Sequence, residues 1–254
     1  MSTANKVIRE MMAMRDEKQR EGLMRFFKTG TGQYGEGDEF LGIKVPQVRE
    51  VVKRHPAVPL DEIPTLLTNA WHEIRLCGLL LMVAKFERLA TKRLANDKEA
   101  IQKRDEIVSM YLQYARQANN WDLVDLSAPK IIGHWLMLPS SIDDKQDIVD
   151  RLASSNCLWE QRISMVCTLK TLQLGDASWC LRYAEMHLHH THDLMHKAVG
   201  WMLREMGKRV SMDLLRDFLH CHAHEMPRTT LRYAIEKMDE KERQGWMRAD
   251  GKKC

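Results

Sequence analysis

The sequence predicts an all-α protein built from repeated helical hairpins, and three observations predict it. Helix formers dominate the 254 residues, with 17 Met against five Phe and five Tyr. No run of alternating apolar and polar residues bounded by turn residues reads as a strand. Four segments align with one another over a helix length, and the last three recur at a constant spacing.

Taken in order, a first helix is expected from about Thr3 to Phe27, followed by a glycine-rich loop from Lys28 to Ile43 within a connection spanning 28–45. Pro46 suits the first turn of a helix running to about Arg54, because its missing N–H would have no partner there and its φ is already helical. Further helices are expected near 61–69, 71–89, 96–118, 121–136, 141–154, 158–173, 176–188, 191–208, 211–222 and 228–238, joined by short loops. The organisation expected is a single domain over 1–254: an N-terminal helix (1–27), the loop, helical repeats over 46–240 and a tail over 241–254.

The aligned segments are HEIRLCGLLLM from His72, WEQRISMVCTL from Trp159, LMHKAVGWMLR from Leu194 and TTLRYAIEKM from Thr229. Each carries a cation at its fourth position, Arg75, Arg162, Lys197 and Arg232, followed by an apolar stripe. The last three cations lie 35 and 35 residues apart, the length of one helical hairpin. That pattern predicts a curved right-handed solenoid of antiparallel hairpins of HEAT-like or ARM type, whose inner helices line a concave basic groove. VREVVKRH, with Arg49, reads as an imperfect earlier copy. LVDLSAPKII fits the same frame with Asp125 at the cation's position, offset by 50 and 37 residues from Arg75 and Arg162. One rung of a basic ladder is thereby inverted to acid, although repeat positions vary and an exposed carboxylate needs no function.

Composition bounds the rest. With 44% hydrophobic and 29% charged residues the chain can bury a sizeable core, which excludes a disordered class. No apolar run approaches the ~18 residues of a membrane span. The polar start MSTANKVIRE lacks a signal peptide's apolar stretch, so a cytoplasmic protein with no membrane partner is expected. Six cysteines (Cys77, Cys157, Cys167, Cys180, Cys221, Cys254) show no CxxC pairing, and no disulfides are expected. A net charge of +4 permits a polyanionic partner without demanding one.

Several motifs carry chemistry, and each has a bland alternative. A column of Arg and Lys along one side of a solenoid is the footprint of a groove that tracks phosphates, with AKFERLATKR (84–93) and LREMGKR (203–209, including Arg204) adding charge; solvated helix faces are the alternative. Trp121 and Asp125, in ANNWDLVDLS, share a helix face. Pro129, four residues after Asp125, cannot donate to the Asp125 carbonyl, so the helix should be distorted or only beginning there. Asn120 or Asp122 is a candidate N-cap, which would leave Asp125 in the first turn, where the helix dipole favours a carboxylate. Trp201 lies four residues after Lys197, on the inner face by the repeat frame or simply in the core. Gly30, Gly32 and Gly35 have GxGxxG spacing, but no strand precedes them, so a structured inter-helix loop is expected, one that can approach a ligand through backbone amides. HLHHTHDLMH (187–196) and HCHAH (220–224) offer metal donors, but they straddle helix ends and lack the spacings of a closed shell. No metal and no cofactor is assigned, and Cys221 lacks the positioned partners of a thiol nucleophile.

With these residues in view, the chain resembles the AlkD-like DNA alkylation-repair glycosylases, which are built of HEAT-like repeats curved around DNA. The segments that carry the likeness are FLGIKVPQVRE (40–50), NWDLVD (120–125), LWEQRISMVCTL (158–169), HKAVGWMLREMGKR (196–209) and PRTTLRYAIEKM near the C-terminus. The resemblance covers nearly the whole chain. It implies that Asp125 is the catalytic aspartate, that Trp121 and Trp201 pack with it against the deoxyribose of the damaged nucleotide, and that Arg162 contacts the backbone near the lesion. Lys197, Arg75, Arg232 and Arg204 are the further expected DNA contacts. The chain departs from some members at Asn120, in place of a second tryptophan, and in its longer glycine-rich loop. The implied activity is that of a monofunctional glycosylase releasing cationic N3- or N7-alkylpurines from duplex DNA, acting as a monomer on nucleoid DNA of bacterial type. Two other readings stay open: a noncatalytic HEAT-repeat protein that binds bent or branched DNA, and a HEAT scaffold for proteins, for which no salt-dependent DNA affinity is expected.

Overall fold

The computed structural model describes residues 2–248; Cys254 and the end of the expected tail, 249–254, lie outside the described residues. Among the described residues every regular element is helical, and the one β feature is an isolated parallel bridge between Glu39 and Trp71. The all-α class is therefore the one the sequence predicts. No described helix is long and apolar enough to cross a membrane.

The chain separates into two compact units, one running to Ile131 and including Leu138–Ile142, the other formed by Ile132–Met137 and the chain from Asp143 onward. The first unit contains α1 (Thr3–Ala13), α2 (Glu17–Phe26), α3 (Val45–Arg54), α4 (Ile63–Leu67), α5 (His72–Leu89), α6 (Lys98–Gln113) and α7 (Trp121–Ser127). The expected single helix over 3–27 is in fact two. Asp16 ends the continuity: its backbone is extended, its carboxylate caps α2 by accepting from the Gln19 N–H at 3.0 Å, and its own N–H donates to the Leu41 carbonyl at 2.9 Å.

Helix α5 is the hub of this unit and packs against α3, α4, α6 and α7. Its residues are buried on nearly every face, as expected of a helix with little amphipathicity at the centre of a bundle. Leu79, Leu80, Leu81 and Met82 are at most 3% exposed, each worth ~1.5–3 kcal/mol of transfer free energy. Its first turn is different in kind: His72, Glu73 and Arg75 are charged or polar, and all three are buried.

The second unit contains α8 (His134–Leu136), α9 (Lys145–Ala153), α10 (Leu158–Val166), α11 (Thr168–Gln173), α12 (Ser178–Met186), α13 (Asp193–Arg209), α14 (Met212–His222), α15 (Arg228–Ala234) and α16 (Glu240–Arg248). Helix α13 is its hub, touching α10, α11, α12, α14 and α15. Gly200 lets α15 come close: a Cβ there would stand 2.5 Å from both the Thr230 carbonyl oxygen and the Tyr233 Cβ. No described cysteine is joined to another in a disulfide, and Cys77, Cys167 and Cys180 are buried.

Candidate active site

Helix α7 opens on an extended Asn120, whose side-chain oxygen accepts from the Trp121 N–H at 2.9 Å. Of the two candidate caps it is Asn120, not Asp122, that stands at the N-terminus. The helix ends after seven residues at Ser127, and a π turn follows over Pro129–Gly133. The distortion expected from Pro129 is present, because the ring leaves the Asp125 carbonyl without its normal donor. On this short helix Asp122, Leu123, Val124 and Ser127 are buried, whereas Trp121 and Asp125, one turn apart, stay half-exposed.

That half-exposed face borders a cavity of about 510 Å³ within the first unit, lined by Phe26, Phe27, Phe40, Lys44, Trp121 and Asp125 among others. Aromatic rings order the indole. Phe27 stacks on Trp121 at 5.3 Å between centroids, and Phe26 meets the indole edge-on at 5.7 Å. Phe27 stacks in turn on Phe40 at 5.0 Å, and Phe40 on His72 at 4.4 Å, so four rings form a column from the first turn of α5 to the indole.

Beneath the column lies a buried charge cluster. His72 Nδ1 is 2.8 Å from Asp38 Oδ2 and its Nε2 is 3.0 Å from Asp122 Oδ2. Arg75 donates to the other oxygen of Asp38 and to the carbonyls of Asn69 and Ala70, and Asn120 Nδ2 donates to Asp38 at 3.3 Å. Burial opposes a charge on His72, but Asp122 and Asp38 overcome it and raise its pKa to about 9. Burial likewise opposes ionisation of Asp38, and His72 and Arg75 prevail, holding it below the ordinary aspartate value.

The glycine-rich loop delivers Asp38 and Phe40. The Gly35 N–H donates to the Lys28 carbonyl at 3.1 Å, and a Cβ on Gly35 would stand 2.4 Å from the Phe27 carbonyl oxygen. The loop is structured as expected, but its amides do not reach outward over 41–43. The N–H groups of Leu41, Gly42 and Ile43 all donate to the Glu73 carboxylate, at 2.8, 2.9 and 3.0 Å.

The expected basic ladder is corrected at two rungs. Arg75 is 4% exposed and engaged with Asp38 and two carbonyls, so it is an interior clamp, not a rung of an open groove. Arg162, in the second unit, is also 4% exposed, and its Nη1 donates to the Leu194 carbonyl at 2.6 Å. Both side chains thus donate to main-chain carbonyls inside the protein. Lys197 is half-exposed and pairs with Asp193, Arg204 contacts Glu205 and Glu236, and Arg232 is exposed. Trp201 lies on α13, half-buried.

The histidine runs are absorbed by structure. His187 is buried with Nε2 2.8 Å from Ser164 Oγ, and His190 Nε2 meets Gln161 Oε1 at 2.8 Å. Among the described residues no three His, Cys, Asp or Glu side chains are grouped to hold a metal ion.

Sequence reasoning singled out Trp121 and Asp125, which line this cavity, but not His72, Asp38, Glu73 or the three phenylalanines grouped around them. A signal was present in HEIR: three polar or charged residues heading an otherwise apolar helix mark buried ionisable groups, which gather at functional sites.

Comparison with known proteins now bears on this geometry. The profile of a family described as "DNA alkylation repair enzyme" matches residues 7–238. A solved structure described as "Predicted DNA alkylation repair enzyme from Enterococcus faecalis" is similar in fold, with a TM-score of 0.63 and 14% identity, over 89% of this chain and 97% of that one. No curated protein matches the chain.

Proposed function

The chain belongs to the DNA alkylation repair enzyme family, and from that premise we propose that it is a monofunctional DNA glycosylase that hydrolyses the N-glycosidic bond of cationic N3- and N7-alkylpurines in duplex DNA. The observation that carries the reading is the pairing of Asp125 with Trp121 on the open face of α7, at the mouth of an apolar cavity.

The chemistry asks for little more. An alkylated purine already carries a positive charge, so it leaves as a neutral base when it takes the electron pair of the C1′–N bond, and no general acid is needed. Positive charge passes to the sugar as that bond breaks. The Asp125 carboxylate stabilises this charge and orients a water whose oxygen adds to C1′, the released proton going to the carboxylate and then to solvent. The indole face of Trp121 favours the same cation by ~0.5–2 kcal/mol. The products are the free base and an abasic site.

The family resemblance assigns Trp201 as the second indole. Lys197, Arg204 and Arg232 remain the proposed backbone contacts, with Arg232 exposed and Lys197 half-exposed. Arg75 is reassigned to holding Asp38, and Arg162 to the start of α13.

The test is base release from duplex DNA containing N7-methylguanine, by the wild type and Asp125→Asn. Removing a group that stabilises transition-state charge should slow release by on the order of 10²-fold, with little change in binding to undamaged duplex. Undiminished release by the variant removes the role given to Asp125. Salt-dependent binding with no release of any alkylpurine by the wild type would instead indicate a noncatalytic DNA-binding protein.

A further inference from the structure

We propose that His72 is a positioning residue for this reaction: bridging Asp38 and Asp122 through its two ring nitrogens, it sets the orientation in which α7 presents Trp121 and Asp125. The proposal rests on the glycosylase reading for its consequence, and on the geometry of the first unit for its cause.

Both ring nitrogens of His72 face carboxylate oxygens, at 2.8 and 3.0 Å. A neutral imidazole has a single N–H and could serve only one of them, leaving a nitrogen lone pair against the other carboxylate. The ring that satisfies both is the imidazolium, and the two carboxylates hold it so despite its burial. Charges then alternate through the interior, from Arg75 to Asp38 to His72 to Asp122.

Asp122 depends on this bond. It is 5% exposed, and among the described residues its Oδ1 has no hydrogen-bond partner, so the His72 contact at Oδ2 is what compensates a buried carboxylate. Helix α7, with seven residues, is far too short to hold itself, and its placement comes from tertiary contacts. Asp122 sits between Trp121 and Asp125 on that helix, so the bond to His72 fixes the turn that carries both. A second route runs along the rings, from His72 through Phe40 and Phe27 to the indole.

The charged groups in contact with His72 are Asp38 from the loop and Asp122 from α7; of its own helix, Arg75 engages Asp38 and Glu73 is held by the three loop amides. Loss of the proton would leave two carboxylates against one guanidinium in a closed interior. The remaining N–H would serve one carboxylate and a ring lone pair would face the other, so the two-sided bridge between the loop and α7 would be broken.

Two readouts test this. The first is the single-turnover rate of N7-methylguanine release by His72→Gln and Asp122→Asn, beside their affinity for undamaged duplex. Release should slow by on the order of 10- to 100-fold, as misplacement of reacting groups predicts, while the dissociation constant stays within about twofold. The second needs no activity: the indole N–H resonance of Trp121, identified by its loss in Trp121→Phe, should titrate in the wild type with a midpoint near pH 9. In Asp122→Asn that midpoint should move to lower pH, because one of the two carboxylates that hold the proton is gone. A folded His72→Gln protein that releases base at the wild-type rate overturns the proposal, as does an indole resonance that does not titrate. Should His72→Gln fail to fold, the wild-type titration and Asp122→Asn still decide it. If the wild type releases no base, the glycosylase reading falls, while the titration still judges the link from His72 to Trp121.

Discussion

Glu73 shows how one side chain can hold a loop in place. Its carboxylate is the acceptor for three successive amides, at Leu41, Gly42 and Ile43, and it is 2% exposed. A carboxylate has acceptor sites on both oxygens, whereas an amide would turn an NH₂ group toward one of these N–H donors. Glu73→Gln should therefore cost ~1–3 kcal/mol, seen as a lower midpoint of urea unfolding with an unchanged slope; an unchanged midpoint would show that the loop is held by other contacts. Asn120 and Asp122 make a related point. Either could have capped α7 by composition, and the cap went to Asn120 because Asp122 is drawn inward to His72. Capping is local chemistry and was legible as a choice between two residues. The choice itself depended on a histidine 50 positions away.

Among the helices, the two that differ most from expectation are the first and α7. A helical pattern over 3–27 was legible, but the break at Asp16 was not, since the Leu41 carbonyl that receives its N–H comes from the far end of the glycine-rich loop. The interruption after α7 was legible, because Pro129 acts on its own backbone four residues back. Helix α13 offers a test of packing against propensity. Gly200→Ala would gain ~1 kcal/mol of helix propensity, but its methyl group would press into the Thr230 carbonyl and Tyr233 Cβ, each 2.5 Å away. Overpacking of that kind costs ~1–3 kcal/mol, and backbone cannot move aside as a flexible side chain can. The variant should melt at lower temperature than the wild type, and an equal or higher melting temperature would show that α13 and α15 separate freely.

Across the whole molecule, two buried histidines should make stability depend on pH in opposite directions. His72, in the first unit, has its pKa raised to about 9, so its contribution is fully present below its unfolded value near 6.5 and is lost as pH rises toward about 9. His187, in the second, is pushed down to about 4 by burial and then by His190, so stability is lost as pH falls from about 6.5 toward 4. Urea unfolding followed from pH 4 to 10 should thus show greatest stability near neutrality, with His72→Gln flattening the alkaline fall; an alkaline fall of full size in that variant would place its origin elsewhere. The same contrast separates what each level decided. Helical class and the pairing of Trp121 with Asp125 on one face were determined by the sequence itself, because periodicity, proline and side-chain spacing act within a few residues. The tertiary structure alone decided that Arg75 and Arg162 turn inward and that Asp38, His72, Asp122 and Asn120 meet. Those contacts join residues 34, 50 and 82 positions apart, and whether a charge faces water or a buried partner is settled only when distant segments close over it.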